Sequence, residues 1–338
     1  MSEMVSDVLL QGWTSAPATE RPRLAALPEH LAHAFANPFE LEDLLVFDLF
    51  NLKRVLTTIQ FRPEHLAWAL YRAPAELIRR TLACLPLDER AVFTAALAQP
   101  VAADINARAC HLLLDALFWE LTYWQTPEMY AELVAGEHLH PGIFRQLETV
   151  LRDKTVLDVG AGCGRASLAA LEHGAARLYA VEPSPGLRRL LSAQVAGSPA
   201  EGKLTLYAGD FTHVPLDDQS VDVALACSAF TADSPQGGEL ALAELRRVTR
   251  PGGYLVLIWP RPLDRSWLAA RGFHYVTLAP EEEMFVTFAS WESAWRCVRR
   301  FYAQNANVYR YLRYARQPRI PFSVLGFNAP CDYCWLRV

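Results

Sequence analysis

Residue types able to do chemistry gather between Thr155 and Trp259 of this 338-residue chain. Gly160, Gly162 and Gly164 alternate in the run TVLDVGAGCGRASL, with Asp158 just ahead of them. Glycine has no Cβ, so a backbone rich in it can approach a bound ligand closely. Glu182 and Asp210 follow at the ends of two apolar runs, RLYAVEPS and KLTLYAGDF. An acid about 20 residues beyond such a turn is placed to accept hydrogen bonds from ribose hydroxyls. The spacing excludes two phosphate cradles. A dinucleotide fingerprint needs its third glycine at position 165, where the chain has Arg165. A Walker loop ends in Gly-Lys-Ser/Thr, which this run lacks.

Such residues need strands and helices to hold them. Val156, Leu157 and Val159 read as a buried parallel strand. Leu168 and Leu171 then fall at helical spacing, with Gly174 placed as a C-terminal stop. The unit recurs. A strand over 177–184 ends at Glu182, and a helix follows with Leu187, Leu190, Leu191 and Gln194 along it. A third strand over 203–211 ends at Asp210, and a fourth covers 220–230. The helix ELALAELRRVT, with Ala241, Leu245 and Val248 on one face, stops at RPGG (250–253), and the strand YLVLIW follows. Alternation of this kind argues a doubly wound α/β domain.

The pattern apolar-apolar-Asp-apolar-Gly-x-Gly-x-Gly resembles motif I of class I S-adenosylmethionine (SAM) methyltransferases, and Glu182, Asp210 and the RPGG-strand ending follow in that family's order. The ending is similar to that of its small-molecule, type 11-like branch. The resemblance implies a seven-stranded Rossmann-like core, SAM as cofactor, and methyl transfer to a small-molecule acceptor by in-line displacement. It implies cofactor contacts at Asp158, Gly160, Ala161, Gly162, Gly164, Glu182, Pro183, Asp210, Phe211 and Cys227, with the adenine amino group on Asp210. Tyr130, in FWELTYWQTPEMYAEL, resembles the tyrosine that an N-terminal helix often lays across the cofactor. Such an aromatic segment also suits plain packing at a domain junction.

A sulfonium already activates its methyl group, so catalysis is mainly positioning. A base is needed only when the acceptor must lose its proton early. His213 and Tyr130 are the candidates for a catalytic group, and His213 serves equally well as an adenine-side loop residue. CSAF follows the fourth strand where an Asp/Asn-Pro-Pro-Tyr/Phe motif would direct amino-methylation of adenine or glutamine, which disfavours that chemistry. Cys331 and Cys334 form a C-x-x-C without the second ligand pair a zinc site requires, so no metal is expected. His138 and His140 read as loop residues, and His274 as structural.

Two domains are expected: an N-terminal helical domain over 1–125 and the methyltransferase domain over 126–338. Residues 1 to about 38 read as a proline- and alanine-rich lead-in, and ELEDLLVFDLF is open between helix and strand. Leu77, Ile78, Leu82 and Leu85 share a helical stripe, Asp88 is placed to cap the next helix, and one helix should run from Ala103 to Trp124 through Leu113, Leu117 and Leu121. After the fifth strand come a helix near 264–271 and a strand over 273–278, then a helical insertion at roughly 281–321, then a last strand within CDYCWLRV. The insertion interleaves Arg296, Arg299, Arg300, Arg310, Arg313 and Arg316 with aromatic residues. It suits either an anionic ligand or a solvated amphipathic face. With Tyr123, Trp124 and Tyr130 it is expected to control access to the methyl group.

Composition narrows the partners. A formal net charge of -5 disfavours a general nucleic-acid binder, and 52% hydrophobic against 20% charged residues describes a globular chain. The start MSEMVSDVLL has no basic region, and no apolar run reaches membrane-span length, so neither a signal peptide nor a membrane partner is expected. Seven cysteines in such a chain suggest reduced thiols and a cytoplasmic location. A homodimer through the helical domain is one open arrangement. An inactive SAM-binding regulator and an RNA-modifying methyltransferase using the arginine-rich insertion stay as alternatives.

Overall fold

Apolar periodicity punctuated by proline folds as helices in the first part of the chain. The computed structural model describes residues 35–59, 61–232, 237–280 and 282–338, so the lead-in expected over the first residues falls, up to residue 34, outside the described residues. A 3-10 turn over Leu41–Val46 leads into α1 (Leu49–Ile59), α2 (Pro63–Ala69), α3 (Ala75–Cys84), α4 (Leu87–Leu97), α5 (Ala103–Ala116) and α6 (Phe118–Gln125). The ambiguous run ELEDLLVFDLF is helical because its acids act as caps. Asp43 accepts the Glu40 N–H at 2.8 Å, and Asp48 accepts the Asn51 N–H at 2.8 Å.

Two local expectations are corrected. The helix after Pro86 starts at Leu87, so Asp88 lies inside its first turn and makes no capping bond; its charge acts only on the helix dipole. The helix expected from Ala103 to Trp124 is two helices, because Leu117 leaves helical geometry at φ -98° and ψ 5°. The stripe survives the break, since Leu113, Leu117 and Leu121 are all fully buried. Arg54 joins α1 to α6 through Glu120 at 2.8 Å.

The chain divides at Thr126. One unit runs to that residue and includes Arg299–Asn305; the other comprises Pro127–Val298 and Ala306–Val338. Within the first unit, Phe301 and Tyr302 are buried, and the Phe301 ring stacks on Trp119 at 5.5 Å.

The second unit opens with α7 (Pro127–Ala135) and α8 (Gly142–Leu151). Then β1 (Thr155–Val159), α9 (Arg165–Glu172), β2 (Arg177–Val181), α10 (Pro185–Val195), β3 (Leu204–Tyr207), β4 (Val221–Cys227), α11 (Gly238–Val248) and β5 (Thr249–Ile258) alternate as the sequence predicts. α12 (Arg265–Ala269), β6 (His274–Thr277), β7 (Phe285–Thr287), α13 (Trp291–Phe301), α14 (Ala306–Ala315), β8 (Arg319–Pro321), α15 (Phe322–Leu325) and β9 (Asp332–Arg337) complete it. The seven-stranded sheet has the order β3-β2-β1-β4-β5-β9-β6, with β9 antiparallel to β5 and β6 and the other pairs parallel. This is a doubly wound, Rossmann-like α/β core. Strand order reverses between β1 and β4, the position at which open sheets bind ligands.

Period-two alternation distributes the apolar side chains over both faces. Val156 packs with Phe144, Leu147 and Leu191 on one side, whereas Leu157 and Val159 pack with Ala241, Leu242 and Leu245 on the other. The RPGG segment is part of β5 and not a stop before it; pairing with β4 shifts register there, from Val221↔Thr249 to Val223↔Tyr254. The insertion between β6 and β9 is not purely helical either. β7 and β8 pair antiparallel around α13 and α14, from Phe285↔Pro321 to Thr287↔Arg319. Strands this short leave no readable alternation. No helix among the described residues is long and apolar enough to cross a membrane.

Asp222 clips the amino end of the sheet. Its carboxylate accepts the Thr155 N–H at 2.9 Å and Arg250 Nη1 at 2.9 Å. Asp222→Ala should therefore cost about 1–2 kcal/mol, read as a lower urea midpoint at unchanged slope. An unaltered midpoint would show that Thr155 finds another acceptor.

Candidate functional site

Leaving β1, the backbone passes through Gly160, Gly162 and Gly164 at φ of 71°, 55° and 89°. These are left-handed values that a Cβ penalises. Gly160 is also sterically required, since a Cβ there would lie 2.7 Å from the Ala229 Cβ. The N–H groups of Gly160 and Ala161 donate to the Val181 carbonyl at 2.9 and 3.1 Å, tying the turn to β2. Gly162 is different. A Cβ there would meet only the Tyr130 ring, 3.7 Å away at Cε1 and 3.9 Å at the hydroxyl. Gly164 precedes α9 as its N-cap.

Two buried carboxylates flank this turn. Glu182, at the end of β2, accepts the Gly162 N–H at Oε2 (2.9 Å) and the Ser184 N–H at Oε1 (2.8 Å). Asp158 accepts Ser167 Oγ at Oδ2 (2.6 Å), whereas its Oδ1 is buried with no hydrogen-bond partner. Burial raises the Asp158 carboxyl to about 6, against the opposing pull of Ser167 and Arg165. An orphaned buried acceptor of this kind fits a ligand carrying a cationic donor.

The remaining expected contacts fall around the same sheet edge. Asp210 closes its own turn, its Oδ1 accepting Thr212 N and Oγ1 at 2.8 Å and His213 N at 3.0 Å. Phe211 is buried against Phe230, edge to face at 5.8 Å. The carbonyls of Glu182 and Pro183 both accept Arg188 Nη1 at 2.6 Å. Cys227 ends β4, where burial pushes its thiol up. Burial and Glu182 push the Cys163 thiol up to about 12, so both sulfurs are protonated at neutral pH.

Acids on α7 and just after it join Tyr130 to its surroundings. Glu128 pairs with Arg189 of α10, Glu132 with Arg296 of α13, and Glu137 with Arg165 of α9. The first two pairs are exposed and individually weak. Burial raises the Tyr130 hydroxyl, so it is a donor at neutral pH and not a base.

Tyr123 and Trp124 lie in the helical unit, where Tyr123 stacks on Trp119 at 6.1 Å and Trp124 meets Phe47 edge to face at 5.0 Å. His213 is exposed. Cys331 precedes β9 half-buried, and Cys334 is buried on it; both are free thiols. Sequence reasoning missed Glu137 and Trp259 and weighed Arg165 only as an absent glycine. Arg165 Nη1 donates to the Glu137 carbonyl at 3.0 Å and to its Oε2 at 3.1 Å, and its Cζ lies 5.5 Å from the Trp259 ring. No local pattern announces partners so far apart in the chain.

A family described as a methyltransferase domain matches residues 157–257. An uncharacterized methyltransferase of Mycobacterium tuberculosis is 36% identical over 120 residues, covering 35% of this chain and 45% of that protein. A demethylmenaquinone methyltransferase of Thermobifida fusca is 36% identical over 115 residues, covering 32% of this chain and 47% of that one. The chain thus spans less than half the length of these relatives. Among solved structures, a SAM-dependent methyltransferase from Aquifex aeolicus aligns at 22% identity and a TM-score of 0.33, covering 41% of this chain and 81% of that one.

Proposed function

We propose that the chain is a class I SAM-dependent methyltransferase that transfers a methyl group from SAM to a small-molecule acceptor, a reading supported by the methyltransferase-domain match over residues 157–257. The observation that carries this reading is the pair of buried carboxylates, Glu182 and Asp158, on either side of an open glycine turn. Glu182 would hold the ribose hydroxyls, and Asp158 the cationic amino group. When bound, the cofactor supplies a methyl group already activated by the sulfonium charge. The chain supplies position. Tyr130 covers the turn at Gly162, excludes water and donates a hydrogen bond. Asp210 and Phe211 stand where the adenine end would rest, and the cytoplasm is the compartment that suits free thiols.

The test is S-adenosylhomocysteine binding by calorimetry, followed by mass-spectrometric search for methylated product across small acceptors. Binding without turnover on any acceptor would favour a regulator, and no binding would overturn the reading. Tyr130→Ala should weaken S-adenosylhomocysteine binding by roughly tenfold, about 1.4 kcal/mol, in a variant that circular dichroism shows to be folded. Unaltered affinity would make Tyr130 ordinary packing.

A further inference from the structure

We propose that Arg165 selects an acceptor bearing an anionic oxygen, a carboxylate or an ionised hydroxyl on a flat conjugated frame, seated against Trp259. This rests on the methyltransferase reading and names the class of its acceptor. Arg165 is the first residue of α9, directly after the glycine turn, at the carboxyl edge of the sheet. Its hydrogen bonds to oxygen leave through Nη1 alone, to Glu137. Among the described residues, no oxygen acceptor meets Nε or Nη2. The side chain keeps 21% of its surface exposed.

Trp259 follows β5, and its indole Nε1 donates to the Asn328 carbonyl at 3.1 Å, which fixes the ring. The Cys227 sulfur, at the end of β4, accepts a hydrogen bond from the same guanidinium. The wall so formed is a planar cation beside a flat aromatic ring. A guanidinium fork matches two oxygens of one anion better than any neutral group.

A purely structural strap between Glu137 and α9 would also bury this pair, and the two roles separate on ligand charge. Benzoate, 2-naphthoate and the corresponding amides are titrated into the full chain, with and without S-adenosylhomocysteine, by calorimetry and tryptophan fluorescence. The carboxylates should bind at least about tenfold tighter than the amides. Arg165→Gln should reduce that preference below about threefold, and Arg165→Lys should partly restore it. Because Arg165→Gln strips a buried carboxylate of its partner, Glu137→Gln combined with Arg165→Gln removes both charges and should be folded and equally indifferent. If S-adenosylhomocysteine fails to bind the parent chain, the methyltransferase reading falls. If it binds, and carboxylates show no preference, fail to bind at about 10 mM, or keep their preference in the folded double variant, the acceptor proposal alone falls.

Discussion

Glu182→Ala should weaken S-adenosylhomocysteine binding by roughly 10²–10⁴-fold. Two ribose hydroxyls on one carboxylate form charge-assisted hydrogen bonds of about 1.5–3 kcal/mol each, together about 3–6 kcal/mol. The structure adds a second cost. Glu182 is also the acceptor for the Gly162 and Ser184 N–H groups, so alanine strands two donors and loosens the turn itself. Glu182→Gln separates these effects, because its amide oxygen can still accept one N–H while the charge is gone. Calorimetry on both variants, with circular dichroism to verify folding, is the measurement. A folded Glu182→Ala protein with undiminished affinity would remove this carboxylate from the site.

The strands from β1 to β5 and the residues of the turn were legible in sequence because each has a local cause. Val156, Leu157 and Val159 make a short apolar run, and the glycines occupy φ values that other residues avoid. Glu182 was legible because its position relative to the turn is set by one strand-helix-strand unit. The break at Leu117 was not, since neither proline nor glycine marks it and the buried stripe runs straight through. β7 and β8 escaped because three-residue strands carry no period. The Arg165–Glu137–Trp259 group escaped for a different reason. Its members come from the start of α9, the loop after α7 and the end of β5, and only the sheet topology brings them together. Asp158 was visible as a motif residue, but its unpaired oxygen was not.

That oxygen underlies the second large effect: Asp158→Asn should make the ligand-free protein more stable and a poorer binder. The folded carboxyl titrates at about 6, above its ordinary 3.8, because burial opposes its charge. The folded chain therefore holds this proton more tightly than the unfolded chain, and stability falls as pH rises from about 4 to about 6, the cost persisting above that range. A shift of roughly two units corresponds to about 3 kcal/mol. Asparagine has no charge to bury and can still meet Ser167. The variant should thus gain about 3 kcal/mol at neutral pH, and the gain should vanish near pH 4. Urea denaturation of both proteins across this range reads the difference directly. Binding should show the opposite sign. A cationic amino group beside Oδ1 favours the ionised carboxylate, so the parent chain should release protons on binding S-adenosylhomocysteine near pH 6, seen as buffer-dependent heat, and Asp158→Asn should not. Its affinity should also be weaker by about 1.5–3 kcal/mol, the worth of one charged hydrogen bond. A variant no more stable than the parent at any pH would mean that Oδ1 is already satisfied, and the carboxylate would then carry no stored preference for a cationic ligand.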